Sequence, residues 1–366
     1  MRVVLAPDCF GGTASAREAA QALATGWRDA RPGDDLVLLP LSDGGPGFLD
    51  VLPGTPVTVL VEDPLARPVL ATFLLDSTSG GRVAYVESAQ AAGLHLLDPG
   101  ERDPGVTTSY GVGQLVLAAV EAGARRVVVG LGGTATNDGG AGFLAALGLA
   151  GQDADGRGLD PGGLALARAA RLVGERRQVQ LVAATDVVDP LLGDTGASRA
   201  YGPQKGAGPA QVEQLEGALA HWADLVEDHL GVRVRDLPGA GAAGGLGFAL
   251  LALGTSRVAG AEVAARAVRL GDAVARADLV VTGEGRLDAS SLRGKVVSAV
   301  AAIAAGHGVP CVVVAGEVLL GRREAGAAGL AEALSLVDVV GRERALRETA
   351  SALRTCGERL GREWGV

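Results

Sequence analysis

The sequence predicts an α/β protein: a parallel-sheet Rossmann-like domain built from residues 1–50 and 245–366, with an α+β domain, residues 51–244, inserted into it. Three observations predict this class. Short apolar runs alternate with helical patterns at both ends of the chain, as βα units of a parallel sheet require. Between residues 57 and 87 three strand-like runs follow one another with only turn residues between them, which favours antiparallel pairing. Glycine-rich loops close the strands, and 366 residues at 48% hydrophobic and 20% charged suffice for two buried cores. The cleft between two such lobes is the expected active site.

Residues 2–7 (RVVLAP) read as a buried strand, closed by Pro, Asp and a glycine pair. Residues 15–30 carry helical periodicity, with Ser15 as the N-cap, and residues 35–42 form the next strand. After the antiparallel block come a helix over 111–124, a strand and loop over 125–133, a helix over 140–149, a strand over 179–187 and a long amphipathic helix over 210–230. Alternation returns with strands at 278–284, 310–317 and 335–341.

A net charge of −9 excludes nucleic acid as a partner, so any anionic ligand is held by local donors. Cys9, Cys311 and Cys356 are odd in number and far apart, which excludes a disulfide framework or a zinc site. No window reaches the roughly 18 uninterrupted apolar residues of a membrane span, and the N-terminal apolar run is too short for a signal peptide. A cytoplasmic protein is expected.

Of 33 basic residues only Lys205 and Lys295 are lysines, and Asn137 is the one asparagine. Arg and Lys differ in fork geometry and hydration, so retained lysines mark positions where Arg does not serve. Asn137 lies in GLGGTATNDGGAG (130–142), which follows a strand and opens a helix, the arrangement that exposes backbone N–H groups to an anion. Thr134 and Thr136 add hydroxyls, and Asp138 could orient a metal or a hydroxyl. The alternative is a tight turn in which Asn137 and Asp138 cap the helix. The amide can donate and accept where an ionised Asp only accepts. Asn137→Asp is therefore expected to stop turnover with little loss of stability.

GAGAAG (239–244) matches G-x-G-x-x-G literally, but Pro238 precedes it and Glu262 falls in a helical pattern, so an anion loop or close packing is the better reading. VVTGEGRLDASSLRGK (280–295) sets Glu284, Arg286, Asp288 and Lys295 at the C-terminal end of a strand, where open α/β sheets bind ligands. Carboxylates there suit Mg²⁺, and Arg and Lys suit phosphoryl charge. Residues 184–207 supply Asp186, Asp189, Arg199, Tyr201 and Lys205, a possible general base among possible phosphate partners. The four histidines form no catalytic or metal pattern. Anion loops, few cations, carboxylates and no nucleophile motif together point to phosphoryl transfer.

These stretches, with PD-x-F-x-G (7–12), SDGG (42–45), ERDP (101–104), GAS…YGPQKGA (196–207) and PGAGAAGGLG (238–247), resemble the type 1 glycerate kinase family in family order over nearly the whole chain. The resemblance implies phosphorylation of glycerate, a small hydroxy acid, by in-line transfer from ATP with Mg²⁺. It implies catalytic roles for Asp186, the favoured base, Asp288 and Lys205. Substrate or phosphate contacts are implied for Asp8, Asp43, Thr134, Thr136, Asn137, Asp138, Arg286 and Lys295, and metal contacts for Glu284 and Asp288. Gly11 and Pro46 stand where typical members carry lysine and glutamate, so a kinase for a related hydroxy acid and a non-catalytic sugar-acid-binding paralogue stay open.

Overall fold

In a computed structural model of the chain, described over residues 1–77, 82–292 and 294–365, the strands run in order β1 (Arg2–Pro7), β2 (Asp35–Leu38), β3 (Thr55–Glu62), β4 (Pro68–Asp76), β5 (Val83–Glu87), β6 (Arg126–Gly130), β7 (Ala150–Gln152), β8 (Arg171–Val173), β9 (Gln180–Ala184), β10 (Ser256–Val258), β11 (Leu279–Leu287), β12 (Cys311–Val318) and β13 (Glu332–Ser335). The chain divides into two units. One holds residues 1–43, 50–52 and 259–366, the other residues 44–49 and 53–258. The C-terminal division falls after β10, not at 244/245, because β10 pairs with β9 and so stays with the second unit.

The first unit is a five-stranded, wholly parallel sheet in the order β13-β12-β11-β1-β2. Strand order reverses between β1 and β11, the position at which doubly wound sheets open a crevice beyond their carboxyl ends. Residues 3–6 of β1 and 279–281 of β11 are apolar because helices cover both faces; Val3, Leu5, Val281, Val312 and Val314 are buried with Leu23, Trp27 and Leu353. The helix Ala16–Ala30 starts as expected at Ser15, whose side chain accepts from the Glu18 N–H while the Glu18 carboxylate takes the Ser15 N–H. It packs on the helix Thr349–Trp364 so closely that a Cβ on Gly26 would meet the Arg354 carbonyl oxygen at 1.8 Å.

Two elements differ from expectation. β11 runs on through Arg286 and Leu287, pairing with Glu317 and Val318. Residues 335–341 are not a strand: β13 ends at Ser335, whose hydroxyl accepts from the Asp338 N–H and caps the helix Leu336–Val340. A local cap outweighs the β-branched residues that favour extension.

The second unit is a mixed six-stranded sheet, β10-β9-β6-β5-β4-β3. The block β3-β4-β5 is antiparallel, as its helix-free sequence requires, whereas β5, β6, β9 and β10 run parallel. A short antiparallel pair, β7 with β8, had no sequence signal. Phe73, Val129, Phe143, Leu144 and Trp222 lie in one buried core. Trp222 belongs to the long helix Pro209–Leu230 and donates its ring N–H to the Gly139 carbonyl, which ties that helix to the 130–142 loop. No helix among the described residues is long and apolar enough to cross a membrane.

Candidate active site

In the first unit, β1 and β11 deliver their carboxyl ends side by side. The Asp8 N–H donates to the Gly283 carbonyl, so Asp8 stands directly beside the end of β11. A cavity of about 450 Å³ opens here, lined by Asp8, Asp43, Glu284, Arg286, Asp288 and Lys295 among others. All six are residues that the motifs single out. Sheet order brings them together from opposite ends of the chain.

Burial and the neighbouring Asp43 and Glu284 charges push the Asp8 carboxyl up to about 7, against a hydrogen bond from the Cys9 N–H. Burial also raises Glu284, with a Ser291 hydrogen bond and then Lys295 partly offsetting it, and one buried Glu284 carboxylate oxygen has no hydrogen-bond partner. Crowded, desolvated carboxylates with an orphaned oxygen fit a small divalent cation, whose charge would replace a proton. No group of three or more His, Cys, Asp or Glu among the described residues forms a ready cage. Mg²⁺ rarely uses one; it takes one or two carboxylates plus substrate phosphates.

Asp288 behaves differently. Its carboxylate accepts from the Ser290 N–H and hydroxyl, and these bonds hold it below the usual carboxylate range. Arg286 is exposed and lies 3.8 Å from it. A carboxylate held ionised in this way suits an ion contact better than a proton abstraction. Lys295 sits at the N-terminus of the helix Val296–Gly306, half-buried, at the same cavity.

In the second unit, Lys205 ends a short turn, Pro203–Lys205, and is 3% exposed. Its ammonium donates to the Thr136 carbonyl at 2.7 Å and to the Thr134 hydroxyl at 3.5 Å. No carboxylate within the described residues forms an ion pair with it; burial pushes it down to about 8, with Asp138 partly opposing. With Gly132, Gly133, Thr134, Tyr201 and Val187 it lines a cavity of about 350 Å³. A buried cation without a carboxylate partner, in a glycine-walled pocket, fits a small anion. Pro46 packs its ring against Gly133, where a Cβ would meet it at 2.5 Å. At Gly11, in the first unit, a Cβ would meet nothing within 4 Å, although its φ of +56° favours glycine.

Asp186 follows β9 by two residues, half-buried, next to Val187 of that pocket. Tyr201 donates to Asp189 at 2.5 Å, and Arg199 pairs with Asp194 and Glu213 away from the pocket.

Asn137 and Asp138 are turned inward. Asp138 accepts from the Ser109 N–H and hydroxyl and from the Gly140 and Gly142 N–H groups, so it holds the loop and starts the helix Ala141–Ala146. Asn137 is fully buried; its amide donates to Ser198 at 3.0 Å, and its oxygen has no partner. This burial corrects the expectation that Asn137→Asp spares stability. An ionised carboxylate there would be buried without a cation, so the variant is expected to lose about 3 kcal/mol or more, read by denaturant unfolding. The GAGAAG stretch is a packing device: Gly244 has φ +69°, and a Cβ on it would meet the Thr136 carbonyl oxygen at 1.8 Å. Ser109, which supports Asp138, lies outside every motif that the sequence offered; Ser198, which supports Asn137, lies within the 184–207 stretch but is not among its candidate residues.

Comparison with known proteins places the whole chain in one family. The sequence pattern of the glycerate kinase family matches residues 3–365. A protein of Bacillus subtilis strain 168 named glycerate kinase is 42% identical over 328 residues, 87% of this chain and 85% of its own length. The glycerate 2-kinase of Escherichia coli K12 is 40% identical over 328 residues, 87% and 86% of the two chains. A crystal structure of a protein assigned as glycerate kinase 2 from Salmonella typhimurium LT2 superimposes with a TM-score of 0.84 at 38% identity, covering 100% of this chain and 98% of that one. A match that runs from the first strand to the last helix leaves no part of either unit unaccounted for: this chain is a kinase and belongs to the glycerate kinase family.

Proposed function

We propose that the protein phosphorylates glycerate, with ATP as donor and Mg²⁺ as cofactor, in the cytoplasm. The observation that carries the reading is the carboxylate group Asp8, Asp43 and Glu284 at the switch point of the first sheet, beside Lys295 and Arg286. Asp8 and Glu284 would hold Mg²⁺, with Asp43 adding its charge and Asp288 at the rim. Bound there, the cation neutralises phosphate oxygens. Lys295 and Arg286 contribute further positive charge toward the same phosphates.

The Lys205 pocket of the second unit takes the carboxylate of the small hydroxy acid, with Thr134 as a hydroxyl partner. Asp138 and Asn137 act as positioning residues that keep the loop in place. Asp186 is the general base: it takes the proton of the substrate hydroxyl as that oxygen bonds to the γ-phosphorus and the bond from phosphorus to ADP breaks.

ADP release from ATP and Mg²⁺ tests the reading, with D-glycerate beside L-glycerate, tartronate and a blank without acceptor. Turnover with D-glycerate alone is expected. A folded, nucleotide-binding protein that turns over tartronate and not glycerate would replace the substrate. No turnover with any of the three, by a folded, nucleotide-binding protein, would remove glycerate as the substrate and leave a kinase for another hydroxy acid.

A further inference from the structure

The cavity of the first unit has two unlike ends, and the carboxylates occupy only one. Along the carboxyl edge of the sheet, Asp8 follows β1, Glu284 lies in β11, Gly316 and Glu317 in β12, and Leu336 follows β13. Neighbouring strands lie about 4.8 Å apart, so the cavity extends roughly 14 Å from β1 to β13. Its middle is backbone, since Gly285 and Gly316 pack so closely that a Cβ on Gly316 would meet the Gly285 carbonyl oxygen at 2.3 Å. Its far end is apolar: Leu336, Val337, Ala345 and Leu346, the last 57% exposed. Thr349 also lines it, but its hydroxyl proton is committed to the Ala345 carbonyl at 2.8 Å. At the rim Glu317 pairs with Arg342 at 3.2 Å.

An elongated groove with a cation-binding end, a backbone floor and an apolar end matches a nucleoside triphosphate lying along the sheet edge. We infer that the far end holds the base of the nucleotide donor against Leu336, Val337, Ala345 and Leu346, and selects it by shape. The inference rests on the phosphoryl-transfer reading in placing the phosphates over Asp8 and Glu284. Glu317 stands between the two ends, where it accepts from ribose hydroxyls. The one polar side chain in the apolar wall, Thr349, has its proton committed and is buried, so the wall offers no donor to the edge of the base. Sites that hydrogen-bond a ligand reject analogues by 10⁴-fold or more, whereas apolar pockets discriminate by roughly 10–200-fold. Adenine and guanine nucleotides should therefore differ in affinity by no more than roughly 200-fold.

The test is calorimetric and needs no turnover. The full chain, with Mg²⁺, is titrated with the non-hydrolysable ATP analogue adenylyl imidodiphosphate, with its guanine counterpart, and with inorganic tripolyphosphate, which has no base. Leu346→Ser alters an exposed residue and leaves the fold intact; Ala345→Phe fills the slot. Both variants should bind the adenine analogue about tenfold more weakly while tripolyphosphate binding stays within twofold. Unchanged analogue binding in Leu346→Ser, or a preference of roughly 10⁴-fold or more for one base, overturns the inference. So does equal weakening of tripolyphosphate, or no analogue binding by the wild type. If the variants weaken binding as expected yet glycerate is not phosphorylated, the slot stands and the substrate assignment falls. If glycerate is phosphorylated and the variants bind normally, only the slot falls.

Discussion

Asp8→Asn is expected to abolish turnover while making the protein more heat-stable above pH 7. Asp8 is crowded by Asp43 and Glu284 and desolvated, so its folded pKa is about 7 against an ordinary 3.8. The folded state binds this proton more tightly than the unfolded chain does. Stability contributed by Asp8 is therefore present below about pH 4 and lost as pH rises toward 7, after which the cost is constant. That cost is on the order of 4 kcal/mol at 1.36 kcal/mol per tenfold change in proton affinity. Asn keeps the shape and removes the charge. The gap in Tm between variant and wild type should open between pH 4 and 7 and reach a few degrees above it. Mg²⁺ should close part of the gap, because it stabilises only the chain that keeps the carboxylate. Turnover should fall on the order of 10³-fold, the scale of removing one preorganised charge at a reacting phosphate. Unfolding scans from pH 4 to 9, with and without Mg²⁺, check the first part, and ADP release at saturating ATP the second. A variant that is both less stable and half as active would mean that Asp8 is only structural.

Lys205→Met should have the second largest effect. The ammonium is buried, held by the Thr136 carbonyl and the Thr134 hydroxyl, and free of a carboxylate partner among the described residues. Its folded pKa of about 8 lies below the ordinary 10.5, so the folded state binds this proton less tightly than the unfolded chain. Stability therefore rises as pH climbs from about 8 to 10.5, and at neutral pH the charge is carried at a cost. Met fills similar volume without the charge, so Tm at pH 7 should hold or rise. Turnover should fall roughly 10²–10³-fold, as when one charge-assisted contact to an anion is lost. Lys205→Arg should not rescue it, because a planar fork does not fit a cavity shaped for a compact ammonium. Steady-state kinetics beside a melting curve at pH 7 decide the matter. A Met variant with wild-type kinetics would remove Lys205 from the site.

The two lysines and the 280–295 stretch were legible because a composition that favours Arg elsewhere makes a retained Lys conspicuous. The apolar wall was not. Leu336 and Val337 read as strand from their β-branched neighbours, and the helix there depends on the Ser335 cap and on packing against the end of β13. Ser109 beside Asp138 carried no signal either, since a hydroxyl partner 29 positions away in sequence has no local pattern.

By itself the sequence determined the alternation of strand and helix, the antiparallel block after residue 55, the N-cap at Ser15 and the loops that carry Lys205, Lys295, Asp8 and Glu284. Each is written in local periodicity or turn chemistry, which a few neighbouring residues decide. Only the tertiary structure decided which carboxylates crowd together, that Asp138 is spent on holding its own loop, and that Asn137 is sealed from solvent. Those depend on strand order. A parallel sheet that reverses between β1 and β11 sets Asp8 and Glu284 side by side from opposite ends of the chain, and the field they share exists only once that pairing has formed.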